Sequence, residues 1–194
     1  MQLYSKSFLR AAVIVAAVLG LSAAAWASPN HCPPVAKEGP FTGAFLGVPT
    51  VVMGADGSES VSFGGVGAVT AMGDAETESI YETISADSSI MKAAYIVRNE
   101  DGDKVTLDLV GDKLSMVQTV DPVTLVLNVH IEFSGSYQIR PGSGTGRFCG
   151  TTGAGTFMGY ADASPISATT LKGIGQWAFW GAISGLRGGP HCGH

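Results

Sequence analysis

The feature that most limits the fold of this sequence is a two-residue alternation over residues 124–133. Leu125, Leu127, Val129, Ile131 and Phe133 fall on one side; Thr124, Asn128, His130 and Glu132 fall on the other, and only Val126 breaks the pattern. Successive side chains of a strand point to opposite faces, so the run reads as a strand with one buried face. Residues 104–110 repeat it, with Val105, Leu107 and Leu109 opposite Lys104, Thr106 and Asp108. Before them, residues 92–99 (KAAYIVRN) and the Asp101-Gly102 step signal a hairpin. In residues 171–184, Leu171, Trp177, Phe179 and Ile183 share one parity. Weaker strand patterns cover 41–53, 60–72, 134–139 and 153–161. Residues 74–91 allow a long loop or a short helix, and no segment carries a long helical period.

Seven or eight short strands with turn signals between them define an all-β protein, either a sandwich or a closed barrel. The 27 glycines favour the barrel. Glycine weakens a strand unless a sharp bend or a close backbone approach requires it, and a small curled barrel requires both. The expectation is a small antiparallel barrel of about eight strands.

The amino end is a different kind of sequence. Lys6 and Arg10 precede an apolar run over residues 11–25, closed by Ala25-Trp26-Ala27 and followed by Ser28-Pro29. This is the arrangement of a secretory signal peptide cleaved after Ala27, and the run is shorter than the ~20 residues a membrane helix needs. The expected organisation is a signal peptide (1–27), an irregular arm (28–40), a barrel (41–185) and a His/Cys tail (186–194). The chain is expected outside the cytoplasm, in a periplasm or secreted, with no stable membrane insertion after cleavage. Without Lys6 and Arg10, the eleven Lys and Arg become nine against sixteen Asp and Glu, a net charge of −7. Scattered, outnumbered basic residues argue against nucleic acid as a partner.

Export permits disulfides. Cys32 and Cys192 lie near the two ends in proline-containing sequence and are expected to pair, clasping the termini. Closing so long a loop is worth about 5 kcal/mol in the chain-entropy model. Cys149, inside a glycine-rich turn, reads as a small buried residue.

That turn carries a more specific signal: Gly144-Thr145-Gly146-Arg147-Phe148-Cys149-Gly150, then Thr151-Thr152-Gly153-Ala154-Gly155-Thr156-Phe157-Met158-Gly159. It resembles the glycine-rich motif of allene oxide cyclase barrel-like and dirigent-like proteins. Ser134-Gly135-Ser136-Tyr137-Gln138-Ile139 is similar to the strand that feeds the motif, and Phe179-Trp180-Gly181-Ala182-Ile183-Ser184 to the closing strand. The resemblance covers residues 41–185, at motif grade over 134–184, and implies an eight-stranded antiparallel barrel of calycin type with a central pocket. The family usually has alanine where Cys149 stands. It carries over no catalytic residue, because its early-strand polar groups have no counterpart motif here. Read physically, Gly142, Gly144 and Gly146 let the chain turn tightly, so that Phe148 plugs a barrel end while Arg147 stays wet.

Other constellations are weaker. His31, Cys32, His191, Cys192 and His194 are metal-ligand types, but their spacing fits no zinc motif. His130 and Glu132 project together and could move protons in a pocket; opposite so apolar a face, they are expected in water. The acidic run Asp74, Glu76, Glu78 and Glu82 reads as a solvated face. The glycines lack the Lys-Ser/Thr of a phosphate loop, no Gly-x-Ser-x-Gly elbow occurs, and nothing calls for a cofactor or a metal. Tyr95, Trp177 and Phe179 are the aromatics expected to reach the interior, as core or as the wall of a ligand pocket. Three functions follow: a binder of a small apolar molecule; a cyclase-like isomerase holding one conformer in a dry cavity; or a module with a filled core. Neither ligand nor oligomeric state is legible.

Overall fold

A computed structural model describes residues 38–87 and 91–186. Eight antiparallel strands run in order and close on themselves: β1 (Glu38–Met53), β2 (Glu59–Val69), β3 (Gly73–Ile84), β4 (Met91–Asn99), β5 (Lys104–Val120), β6 (Leu127–Ile139), β7 (Thr152–Pro165) and β8 (Thr170–Ser184). The closing seam pairs β1 with β8 from Glu38↔Ser184 to Val52↔Thr170. The expected signal peptide, the expected Cys32–Cys192 bridge and the terminal His/Cys cluster lie outside the described residues.

The alternating segments are strands with the expected inner face: Val105, Leu107, Leu109, Val129, Ile131, Trp177, Phe179 and Ile183 are all buried. The Asp101-Gly102 hairpin forms, with Gly102 at φ +86° donating its N–H to the Asn99 carbonyl. Three expectations are corrected. Of residues 74–91, read as loop or helix, 74–84 belong to β3, paired with β2 and β4. Strand β1 takes in Glu38, Gly39 and Pro40 from the expected arm. Leu125 is not on the inner face: it sits in the β5–β6 turn at φ +57° and is 77% exposed. There Asp121 accepts the N–H groups of Val123 and Thr124, which turns the chain before β6 begins.

Eight strands enclose a space just wide enough to fill with side chains, and aromatic rings fill it here. Phe41, Phe179 and Tyr137 pack at one level, with ring centroids 5.0 and 5.3 Å from Phe179. Trp177 stacks on Phe45 at 5.3 Å and meets Tyr95 at 5.1 Å further along. Glycines make the room. A Cβ on Gly43 would lie 2.7 Å from the Phe179 ring, and one on Gly159 would lie 2.5 Å from the Phe133 ring.

One end of the barrel is sealed. The 3₁₀ turn Gly146–Phe148 drives Phe148 to complete burial. Asp103 accepts the Arg147 N–H at 3.1 Å, and Thr151 donates its hydroxyl to the Phe148 carbonyl at 2.8 Å. Gly144 is obligatory, because a Cβ there would lie 1.9 Å from the Phe148 carbonyl oxygen. Phe148 thus plugs the end as expected. Arg147 is half-buried with its guanidinium 5.7 Å from the Phe148 ring, and Cys149 is a free, exposed thiol rather than a buried one. The turn that buries Phe148 leaves the next side chain facing out.

Candidate functional site

The opposite end of the barrel, where the β1–β2, β3–β4, β5–β6 and β7–β8 turns meet, holds charge inside. Glu59 at the start of β2 shares its inner face with Val61 and Phe63. Lys113 continues the inner phase of Val105, Leu107 and Leu109 along β5. Their side chains form an ion pair at 2.7 Å, each only 6% exposed. Beside it, Glu82 accepts a hydrogen bond from the Tyr95 hydroxyl, with both groups buried. A β-bulge makes this possible. The β3 register shifts between Ser79 and Tyr81, and one extra residue moves everything beyond it to the other face. Glu76 and Glu78 therefore point out while Glu82 points in, so the acidic run is not one solvated face.

Burial pushes the Glu82 carboxyl up to about 7; the Tyr95 hydroxyl opposes this and the Glu59 charge adds to it. Tyr95 is raised in turn, by burial first and then by Glu82. A carboxyl that titrates near neutrality, bonded to a tyrosine, can hold or release a proton at physiological pH.

These groups border a cavity of about 30 Å3, whose wall includes Glu59, Glu82, Tyr95, Trp177, Phe133 and Tyr160. Two buried polar atoms on its lining residues lack a partner: Glu59 Oε2 and Trp177 Nε1. Of the expected pocket aromatics, Tyr95 and Trp177 line this cavity. Phe179 does not; it is fully buried in the aromatic stack between Phe41 and Tyr137. A larger depression of about 640 Å3 lies on the outer surface over β1–β4, lined by residues such as Leu46, Val48, Val66 and Arg98. It is open to solvent, and its lining carries one unpartnered buried atom, the Thr77 hydroxyl, against a carboxylate oxygen and an indole N–H on the interior cavity, so the interior cavity is the stronger site.

His130 and Glu132 face outward, as expected. His130 Nδ1 lies 2.6 Å from Asp162 and its Nε2 lies 3.6 Å from Glu132; the ring stacks on Tyr160. All three side chains are more than a third exposed, which makes this a surface network.

Sequence reasoning missed Glu59, Glu82 and Lys113. For Glu59 and Lys113 the signal was present, since each stands in phase with buried apolar neighbours. For Glu82 it was hidden by the bulge. No family model matches the chain, and comparisons with characterised proteins and with solved structures give no match either.

Proposed function

We propose that this chain is an exported barrel protein that binds a small, largely apolar molecule by a hydroxyl group, at the charged end of the barrel rather than along its axis. The observation that carries this reading is the pair of unpartnered buried atoms, Glu59 Oε2 and Trp177 Nε1, on residues lining one cavity. A buried polar atom left unpaired costs roughly 1–3 kcal/mol. A hydroxyl both donates to a carboxylate and accepts from an indole N–H, so an alcohol or phenol answers both. The cavity of about 30 Å3 suits one oxygen-sized group and not a ring. The apolar body of the ligand then lies over the half-buried Val61 and Phe133.

The leader over residues 1–27 supports export, and the Gly144 to Gly159 motif supports kinship with allene oxide cyclase barrel-like and dirigent-like proteins. A second reading, an isomerase of the cyclase kind, draws on Glu82, whose carboxyl titrates near 7 against Tyr95. Incorporation of solvent deuterium beside the carbonyl of an added small ketone, lost in Glu82→Gln, would favour it.

Calorimetric titration with phenol and with toluene tests the primary reading. Phenol saturates one site, about tenfold more weakly in Glu59→Gln, and toluene does not bind. Equal binding of both, or of neither, leaves a barrel with a filled core and no hydroxyl site.

A further inference from the structure

The barrel is closed, yet one strand outruns its neighbour. Pairing of β4 with β5 ends at Met91↔Gly111, whereas β5 continues to Val120, paired on its other side with β6 as far as Val120↔Leu127. Among the described residues, 112–120 therefore have a strand partner on one edge only.

A free edge presents a row of backbone donors and acceptors ready for another strand. Proteins ordinarily protect such edges with charge, proline or a bulge. Here a bulge lies at the base, between Lys113 and Ser115, and Pro122 lies beyond the strand in the turn. The run between them, Leu114-Ser115-Met116-Val117-Gln118-Thr119-Val120, has no charge, no proline and no glycine. Leu114, Met116, Val117 and Val120 are each between 46% and 59% exposed. Both described ends of the chain, Glu38 and Leu186, lie at the other, sealed end of the barrel, where β1 and β8 pair Glu38 with Ser184.

We infer that the β5 edge pairs antiparallel with the same edge of a second copy of this chain, about a two-fold axis at Val117. Val117 is the midpoint of the uncharged run, so a flush alignment there gives the longest pairing. That alignment is also self-complementary. Leu114 meets Val120, Ser115 meets Thr119, Met116 meets Gln118 and Val117 meets its own copy. Apolar pairs and hydroxyl pairs are the favourable cross-strand combinations, and no like charges face one another. An isologous contact of this kind closes at two copies, which removes the edge without propagating a fibre. The net charge of −5 sets the rest of the two surfaces against each other, and the neutral run is where approach costs least.

Sedimentation velocity across a concentration series is the test. The unmodified chain associates to a dimer. Val117→Lys sets two ammonium groups face to face and weakens the dimer by about tenfold or more, with an unchanged far-ultraviolet spectrum. Val66→Lys, on the outer face of β2, leaves association intact. The register is tested in parallel by oxidising added thiols: Val117→Cys links to itself, and Ser115→Cys links to Thr119→Cys only when the two variants are mixed. A chain that stays monomeric at every concentration overturns the inference. So does a dimer broken by Val66→Lys and not by Val117→Lys, linkage that ignores the register, or binding of the Val117 edge to neutral vesicles in place of a second copy.

Discussion

The two ends of this barrel are built from the same eight strands and solve opposite problems. At the sealed end, a short turn lowers Phe148 into the interior, and neighbouring backbone and hydroxyl groups hold the turn in place. At the other end, two carboxylates, an ammonium, a phenol and an indole share the interior with a small cavity. Apolar filling is self-sufficient, so the first end needs only shape. Charge inside a barrel must be paired at the right height, and that requires register. The lesson is that strand phase, shifted by bulges, decides whether a barrel interior is packed or chemical.

Substitutions can break this contrast or sharpen it. The largest effect is expected at the plug. Phe148→Ala removes a fully buried ring and should cost about 4 kcal/mol of unfolding free energy, measured by urea denaturation; a loss below about 1 kcal/mol would mean that the end is not sealed by packing. Next comes the charged end, where Lys113→Met strands the buried Glu59 and should cost about 3 kcal/mol. Adding Glu59→Gln should recover most of that, because the pair matters chiefly by leaving no lone charge.

Glu82 supplies a smaller effect of opposite sign. Its carboxyl is raised from 4.5 to about 7 in the folded chain, so the folded state holds a proton that the unfolded state has released between those values. Its contribution to stability is complete below pH 4.5 and is lost as pH rises through 7. Glu82→Gln should therefore flatten the pH profile over that window and stabilise the chain by about 2 kcal/mol in mild alkali, read by thermal unfolding at several pH values. The smallest effect belongs to the surface: His130→Ala removes an exposed network and should change stability by less than about 1 kcal/mol.

Much of the fold was legible because it depends on alternation and turn chemistry. The inner faces of β5 around Leu107, of β6 around Ile131 and of β8 around Phe179 follow directly from parity, and Phe148 as a plug follows from the glycines that flank it. Strand β3 was not legible: Glu76, Glu78 and Glu82 share one parity in the sequence, while the bulge beyond Ser79 divides them between water and core. Leu125 misled in the opposite way, an apolar residue in phase with a strand that had not yet begun. Of the site, Tyr95 and Trp177 could be named from their aromatic character. The ion pair of Glu59 with Lys113 could not, because it joins residues 54 positions apart, and only closure of the barrel brings them together.

The indole N–H of Trp177, followed by nitrogen-15 NMR as phenol is added, examines the charged end most directly. An unsatisfied donor facing a hydroxyl site shifts saturably towards the hydrogen-bonded range, while the surface indole of Trp180 stays where it is. A Trp177 signal that does not move, or two indoles drifting together, would mean that the barrel interior is closed to ligands at both ends.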